Sequence, residues 1–320
     1  MGALPALADG TGDIGVDEIH FPDELFREYV AENADTDGDG LLSAEEIADV
    51  HGIHVRFHGI QDLTGIEHFT ALAYLDCSAN SLTSLDVSKN AALQSLVCYS
   101  NQLTELDVSK NTALSELNCG DNQLTALDVS GNGALVYLNC GSNRLTELDV
   151  SKNAALQELS CSGNQLTALD VTASRALVYL ECAHNQLTAL DVTANGALER
   201  LDCGSNRLMA LEVPDDAVYD RLIGGAQSPT AEVAGSADGT WSVDLAALVP
   251  GWAERVNNVT VTGAEMDGSV VTWSDGSVQP TVVYHYDTDS GDAWVELTLI
   301  PVEASDASDA SDADLRHKKP

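Results

Sequence analysis

The sequence is poor in positive charge. It has 14 lysine and arginine residues against 51 aspartate and glutamate residues, which gives a formal net charge of −37 at pH 7. Such a surface repels phosphate backbones and anionic lipids and attracts divalent cations. No basic stripe with interleaved aromatic residues occurs. The composition therefore predicts neither nucleic acid nor a membrane surface as a partner.

Long apolar runs and catalytic motifs are also missing. No run of 18 apolar residues occurs, so no segment is predicted to insert into a membrane. There is no nucleophile elbow, phosphate loop, HExxH motif or dinucleotide fingerprint. His51, His54 and His58 have a spacing that could suit a metal, but we favour an exposed polar connector over a zinc site. These absences predict a protein that is not an enzyme.

The first residues carry a weak targeting signal. Ala6, Leu7 and Ala8 before Asp9 resemble the cleavage region of a secretory signal peptide, although no apolar stretch precedes them. The alternative is a chance match in an alanine-rich chain. We interpret residues 1–16 as a leader remnant with a missing or truncated signal peptide, which predicts a secreted or cell-surface protein.

A 21-residue repeat dominates the sequence. From Ala71 the segment ALAYLDCSANSLTSLDVSKNA recurs seven times, up to residue 214, without gap or insertion. All seven cysteines share one column: Cys77, Cys98, Cys119, Cys140, Cys161, Cys182 and Cys203. A first asparagine column holds Asn80, Asn101, Asn122, Asn143, Asn164, Asn185 and Asn206. A second holds Asn90, Asn111, Asn132, Asn153 and Asn195, with Ser174 in place of one asparagine.

The apolar spacing within a repeat predicts how it folds. Apolar and polar residues alternate at 75–77 and 85–87, which predicts two short strands in each turn. The predicted interior of the first coil is Leu72, Leu75, Cys77, Leu82, Leu85 and Val87. The asparagines are expected to satisfy backbone groups where the chain bends. Since one coil cannot bury its apolar face alone, the coils must stack.

These residues resemble the leucine-rich-repeat consensus L-x-x-L-x-L-x-x-N/C-x-L. The match is to a short bacterial class in which both halves of the turn carry the pattern, here LxxLxCxxNx followed by LxxLDVSxNxx. The resemblance covers residues 71 to about 213 and implies a mainly β repeat solenoid. Each cysteine stands where the consensus takes a small apolar residue, so we interpret the column as reduced, buried thiols. Pairing between adjacent coils or metal capture is the alternative.

Residues 35–46 read DTDGDGLLSAEE and match the EF-hand calcium loop at every ligand position. The predicted ligands are Asp35, Asp37, Asp39, the carbonyl of Leu41, Ser43 acting through water, and both oxygens of Glu46. Gly40 takes the position of the sharp turn. The loop predicts Ca²⁺ as cofactor, in a helix–loop–helix unit at residues 17–52. An acidic, solvated linker is the alternative.

Only one such loop is present, which favours a structural calcium site over a paired sensor. We expect this unit and residues 53–70 to cap the N-terminal end of the repeats. The combination resembles surface repeat proteins of gut-type Gram-positive bacteria, in which an EF-hand-like unit precedes the array. After the repeats at 71–214, we predict a linker at 215–239, a small antiparallel β-sandwich at 240–302 and a disordered acidic tail at 303–320.

Two outward-facing columns are candidates for binding. In the aspartate column, which begins with Asp86 and Asp107, we favour hydrogen bonds with local backbone or with the serine or threonine two residues on; capture of Ca²⁺ or of a basic partner is the alternative. Tyr74, Tyr137 and Tyr179 share one outward position on the first strand, with Tyr99 nearby, and are predicted to bind a partner. Plain solvated strand positions are the alternative for the tyrosines.

The sequence therefore predicts a monomeric, calcium-binding leucine-rich-repeat protein at the cell surface or secreted. It would act as a non-catalytic interaction or adhesion module for a protein or a glycan. Two alternatives remain open. One is a dockerin-like, calcium-dependent assembly module, and the other is an accessory binding module of a larger surface enzyme.

Overall fold

The computed structural model describes residues 12–211, 213, 221–225, 227–236, 238–249, 252–287 and 292–302. Most of the predicted leader and all of the predicted tail lie outside these residues. The described chain falls into two compact units, residues 12–166 with 170–179, and residues 167–169 with those from 180 onward. None of the helices in the described ranges is both long enough and apolar enough to cross a membrane.

The first unit begins with two helices joined by a short loop. Its first elements are β1 (Ile14–Gly15), α1 (Glu24–Asn33), β2 (Leu41–Leu42), α2 (Ala44–Asp49), β3 (Gly52–His54) and a 3₁₀ helix (Ile66–His68). Asp23 caps α1 by accepting hydrogen bonds from the N–H groups of Leu25 and Phe26. Ser43 and Glu46 form a capping box at α2. Each helix start therefore has its free amides satisfied by an acidic or hydroxyl side chain.

The repeats of this unit form a parallel β-solenoid. Their strands are β4 (Tyr74–Asp76), β5 (Ser95–Val97), β6 (Glu116–Asn118), β7 (Tyr137–Asn139) and β8 (Glu158–Ser160), and a further strand, β9, is Tyr179–Glu181. From β4 to β8 each residue pairs with the residue 21 positions further on. β3 pairs with β4 at a spacing of 22. The prediction of a repeat solenoid is confirmed.

The prediction of a second strand in each turn is wrong. Residues 85–87 form no strand, and neither do the corresponding described residues of the later coils, apart from an isolated bridge at Asp191. Asp86 accepts a hydrogen bond from the N–H of Ser88 at 2.9 Å, so the side chain takes a donor that a strand ladder would use. Each coil consequently has one strand and one side built from turns.

The interior of the coils is apolar as predicted, with one exception. Leu72, Leu75, Cys77, Leu82 and Val87 are fully buried, whereas Leu85 is only partly buried. All seven cysteines are buried. Burial raises the pKa of the Cys140 thiol to about 12. The column therefore packs as small apolar side chains, and burial disfavours the thiolate form of Cys140.

The first asparagine column connects each coil to the one before it. Asn101 accepts a hydrogen bond from the N–H of Leu82 at 3.0 Å. Its Nδ2 donates to the carbonyl of Cys77 at 3.1 Å and to that of Cys98 at 3.0 Å. Asn122 and Asn143 repeat these bonds one and two coils later. The predicted use of asparagine to satisfy backbone groups at the bend is confirmed.

The second unit contains the end of the repeats and a region without the repeat. Its strands are β10 (Arg200–Asp202), β11 (Arg221–Ile223), β12 (Thr230–Ala234), β13 (Trp241–Asp244), β14 (Val256–Thr262), β15 (Glu265–Asp267), β16 (Val270–Trp273), β17 (Thr281–Asp287) and β18 (Asp292–Val302). Two short helices, α3 (Leu245–Leu248) and α4 (Trp252–Arg255), follow β13. None of the sequence patterns predicted these helices.

The segment 215–239, predicted as a linker, contains two strands. β11 pairs in parallel with β10 at the 21-residue spacing of the repeats. Gln227 lies 21 residues after Asn206 and makes the same bonds: its Oε1 accepts from the N–H of Leu208 at 3.0 Å, and its Nε2 donates to the carbonyl of Cys203 at 2.8 Å. The repeat thus continues one turn beyond residue 214, with different residue types at the key positions.

The remaining strands form two sheets around one apolar core. One sheet has the order β12-β18-β17-β14 and the other has the order β13-β16-β15. The core comprises Val233, Trp241, Leu245, Val249, Val271, Trp273, Val282, Tyr284, Val295, Leu297 and Leu299. β12 runs parallel to β18, in contrast to the antiparallel arrangement predicted. The two strands lie far apart in the chain, so no tight turn requires them to be antiparallel.

Candidate calcium loop and interaction face

The predicted calcium loop brings three carboxylates together. Asp35, Asp37 and Asp39 each have a carboxylate oxygen within 4.8 Å of those of the other two. Asp35 is largely buried and accepts hydrogen bonds from the N–H groups of Gly38 at 2.8 Å and Gly40 at 2.9 Å. These bonds fix the first carboxylate toward the inside of the loop. Oxygen ligands in such a cluster suit a hard divalent cation.

Gly40 lies where the loop turns sharply. Its φ is +84°, and no heavy atom lies within 4 Å of the position of a Cβ. A side chain here would therefore find space but would be forced into the left-handed region. The constraint is the backbone conformation, as the sequence predicts for this position of the loop.

Glu46, predicted to bind through both oxygens, is engaged elsewhere. One oxygen accepts from the N–H and the hydroxyl of Thr36 at 2.7 and 2.8 Å, and the other accepts from the N–H and hydroxyl of Ser43 at 2.9 Å. Hydrogen bonds from Ser43 and Thr36 lower the pKa of Glu46 to about 2. Glu46 is therefore an anion that joins the start of the loop to its end. It is not part of the cluster of three aspartates.

The aspartate column has the local bonding that we favour from the sequence. Asp107, Asp128 and Asp149 each accept a hydrogen bond from the N–H of the serine two residues on, at 2.8 to 2.9 Å. The hydrogen bonds from Ser109 hold the pKa of Asp107 below its ordinary value. These are Asx turns, and they account for the column without a metal ion.

The four predicted binding tyrosines lie in the first unit and are half-buried. Tyr74, Tyr137 and Tyr179 are the first residues of β4, β7 and β9, and Tyr99 follows β5 two residues after its end. The central leucine of each of these strands is buried, so the residues on either side of it face outward. Between the tyrosines, Ser95 is hydrogen-bonded to Glu116 at 2.7 Å.

The turn before the first full repeat also contributes side chains to this surface. It lies in the segment that the sequence predicts to be an exposed polar connector. The rings of His54 and Tyr74 lie 4.6 Å apart between centroids. The Cζ atom of Arg56 lies 4.6 Å from the centre of the Phe57 ring and 5.3 Å from that of Tyr99. Because this turn is offset by 22 residues, a comparison at the 21-residue spacing of the repeats does not match its residues to the repeat columns. The sequence feature that could have indicated these side chains is the aromatic Phe57 inside a polar, histidine-rich segment.

The other two histidines of this segment bond to backbone. A ring nitrogen of His51 lies 2.8 Å from the carbonyl oxygen of Asp49, and a ring nitrogen of His58 lies 2.8 Å from that of Arg56. His58 also packs edge-on against Tyr29. Within the described residues these histidines make local and aromatic contacts and do not converge on one point.

The stacked coils, the buried cysteine column and the asparagine ladders together have the architecture of a leucine-rich-repeat solenoid. No family model matches the chain. Over 70 residues it is 44% identical to Internalin J of Listeria monocytogenes serotype 4b (strain F2365), a match that covers 22% of this chain and 8% of that protein. The chain thus spans less than a tenth of the length of this curated relative.

Solved internalin structures are similar in fold. Listeria monocytogenes InlP superposes with a TM-score of 0.53 and 15% identity, over 91% of this chain and 99% of that one. Internalin inlF of L. monocytogenes strain 4b F2365 superposes with a TM-score of 0.51 and 19% identity, over 69% of this chain and 80% of that one. At these identities the likeness concerns the fold alone.

Proposed function

We propose that the protein is a non-catalytic interaction module, secreted or displayed at the bacterial surface, whose repeat face binds a partner protein. The main support is the row of half-buried tyrosines at one strand position, held on a rigid parallel sheet. Tyrosine supplies a large contact area with little loss of side-chain freedom, and it is enriched where proteins bind tightly. The similarity to internalins favours the same role.

The interaction test uses the full chain and its outward tyrosines. Labelled protein is applied to an array of extracellular proteins and to a glycan array, with and without chelator. We expect protein ligands that are retained less well by Tyr137→Ser and equally well by Thr125→Ser, which changes an exposed residue off the strands. Exclusive binding to glycans would contradict a protein partner.

We propose that the loop at residues 35–46 binds one Ca²⁺ ion. The clustered carboxylates of Asp35, Asp37 and Asp39 support this, together with the glycine at the turn. Glu46 lies at the other end of the loop and would complete the site by giving up its bonds to Thr36. The ion would then replace a hydrogen-bonded link between the two ends of the loop with a stronger one. Single sites in extracellular modules bind with a Kd on the order of 10⁻⁴ M.

Calorimetry of the full chain tests the calcium site. We expect one site in the wild type and at least a tenfold weaker site in Glu46→Gln, because the neutral amide loses the charge and one oxygen. Glu45→Gln is the matched control, since Glu45 is exposed and next in sequence but holds no ligand position. Saturation at about 100 times Kd should stabilise the protein by about 2.7 kcal/mol. No heat of binding at millimolar Ca²⁺ would refute the site.

A further inference from the structure

One residue in each coil of the first unit turns the chain through the left-handed region. These residues are Phe57, Ala79, Ser100, Asp121, Ser142 and Gly163, with φ between +52° and +67°. Phe57 and Ala79 are equivalent, since their N–H groups donate to the carbonyl oxygens of Ser78 and Tyr99 in the following coil at 3.2 and 2.9 Å. The fold therefore requires a residue of positive φ at this point.

Phe57 is an unusual residue at this position. The other coils of the first unit use small or short polar residues, which tolerate the left-handed region better than a bulky side chain does, and in the second unit His184 and Ser205 have positive φ. The Phe57 side chain is 70% exposed, so it contributes little to the apolar core. Neither the turn nor the core accounts for an aromatic ring here. Strain combined with exposure of a large apolar group is typical of a binding site.

Arg56 packs against two aromatic rings. Its guanidinium lies over Phe57 and Tyr99, at 4.6 and 5.3 Å from the ring centres. Among the described residues, the ion pair with a nitrogen–oxygen distance below 4 Å is the one between Asp17 and His20. Arg56 therefore forms no ion pair with a carboxylate of the described residues. Its charge is fixed in place by ring faces and stays available to an anion.

Neighbouring aromatic residues extend this surface along the same turn. His54, two residues before Arg56, stacks on Tyr74. The backbone N–H of His54 donates to the hydroxyl of Tyr29 at 3.1 Å, which ties this turn to α1. We call Arg56, Phe57 and Tyr99, with His54 and Tyr74, the Phe57 patch. The patch therefore combines four rings with one cation.

We propose that the Phe57 patch is the main docking point for the partner and that it takes a protein segment with an apolar side chain beside a carboxylate. The apolar side chain would cover the Phe57 ring, and the carboxylate would pair with Arg56. A neutral sugar could stack on the rings but would leave the guanidinium without a counter-charge. This inference rests on the proposed function and names the part of the surface and the partner chemistry.

Serine at position 57 provides a test variant that keeps the fold. Ser100 and Ser142 occupy the same turn position in other coils, so Phe57→Ser introduces a residue that the turn already accepts. A random peptide library displayed on phage is selected on the immobilised full chain. Affinities of the selected peptides are then compared for the wild type, Phe57→Ser, Arg56→Gln, Tyr179→Ser and Thr125→Ser, and the melting temperature of each variant is measured.

We expect selected peptides to carry a leucine, isoleucine or phenylalanine next to aspartate or glutamate. Phe57→Ser and Arg56→Gln should weaken them about tenfold or more, and Tyr179→Ser should weaken them less. Thr125→Ser, at an exposed position off the strands, is the control that should leave them unchanged, and the melting temperature of Phe57→Ser should not fall. Equal binding to wild type and Phe57→Ser, or no selected peptide, would overturn the proposal. A lower melting temperature of Phe57→Ser would also overturn it, because it would indicate a structural role. Loss of glycan binding in Phe57→Ser would overturn it as well. Peptides sensitive only to Tyr179→Ser would support the proposed function but refute this docking point.

Discussion

Asn122 shows at the scale of one residue how a coil depends on the coil that follows it. The side chain is buried, and its Oδ1 accepts from the N–H of Leu103 in the preceding coil at 3.0 Å. Its Nδ2 donates to the carbonyl oxygens of Cys98 and Cys119 at 3.1 and 3.2 Å. One amide thus satisfies backbone groups of two coils that water cannot reach.

Replacement of Asn122 by alanine should destabilise the protein by about 3 kcal/mol, because each buried group left unpaired costs about 1–3 kcal/mol. Urea unfolding followed by circular dichroism measures the change. Thr125→Ala, at an exposed position of the same coil, should change the free energy of unfolding by less than about 0.5 kcal/mol. A similar effect of both substitutions would contradict this account of the ladder.

Residues whose environment recurs in every coil could be predicted from the sequence. The burial of Cys77 and Leu75 and the bonding of Asn101 follow from a column that repeats without interruption. Glu46 and Phe57 could not be placed in this way. The bonds of Glu46 depend on how its side chain turns within the loop, and those of Phe57 depend on a turn that occurs once.

At the scale of an element, the left-handed turn of each coil is the feature most sensitive to side-chain type. Gly163 has φ +67°, and a Cβ there would touch Ser142 at an ordinary 3.5 Å. Gly133 has no positive φ, and a Cβ there would come no closer than 3.7 Å, to the carbonyl oxygen of Lys152. The two glycines therefore differ in backbone conformation and not in available space.

Gly163→Ala should lower the free energy of unfolding by about 1 kcal/mol, because alanine is strained in the left-handed region. Gly133→Ala should leave it unchanged or raise it by up to about 1 kcal/mol, since alanine reduces the freedom of the unfolded chain. Thermal melts of the two variants under identical conditions give the comparison. Equal destabilisation by both would show that crowding, and not the sign of φ, decides the outcome.

The elements that the sequence did not predict have specific physical causes. The expected second strand at 85–87 is replaced by an Asx turn, since Asp86 takes the N–H of Ser88. Strand β11 was not predicted because Gly224 and Gln227 occupy the positions where the repeat has cysteine and asparagine. The spacing of 21 persists while the residue types change, so a search for spacing alone would find this turn.

At the scale of the molecule, stability comes from stacking in register. Strands β6, β7 and β8 pair residue for residue at the repeat spacing, so removal of the coil of β7 would bring β6 and β8 together in the same register. Deletion of residues 134–154 removes one whole repeat. We expect the product to fold cooperatively with a lower melting temperature, as a linear array with one interface fewer.

Deletion of residues 134–143 is the matched control for that prediction. It takes fewer residues but shifts every later column away from its partners, so loss of the β signal in circular dichroism is expected. A melting temperature for this variant at or above that of the whole-repeat deletion would show that register does not govern stability.

The asparagine ladder makes each coil depend on the coil that follows it in the chain. Leu103 and Cys98 obtain their hydrogen bonds from Asn122, about one repeat later in the sequence. A chain truncated between two repeats would therefore leave backbone groups of its last coil without these partners, so fraying is expected to begin at that end. Gln227 supplies the same bonds to Leu208 and Cys203, so the last cysteine-bearing coil has its partner.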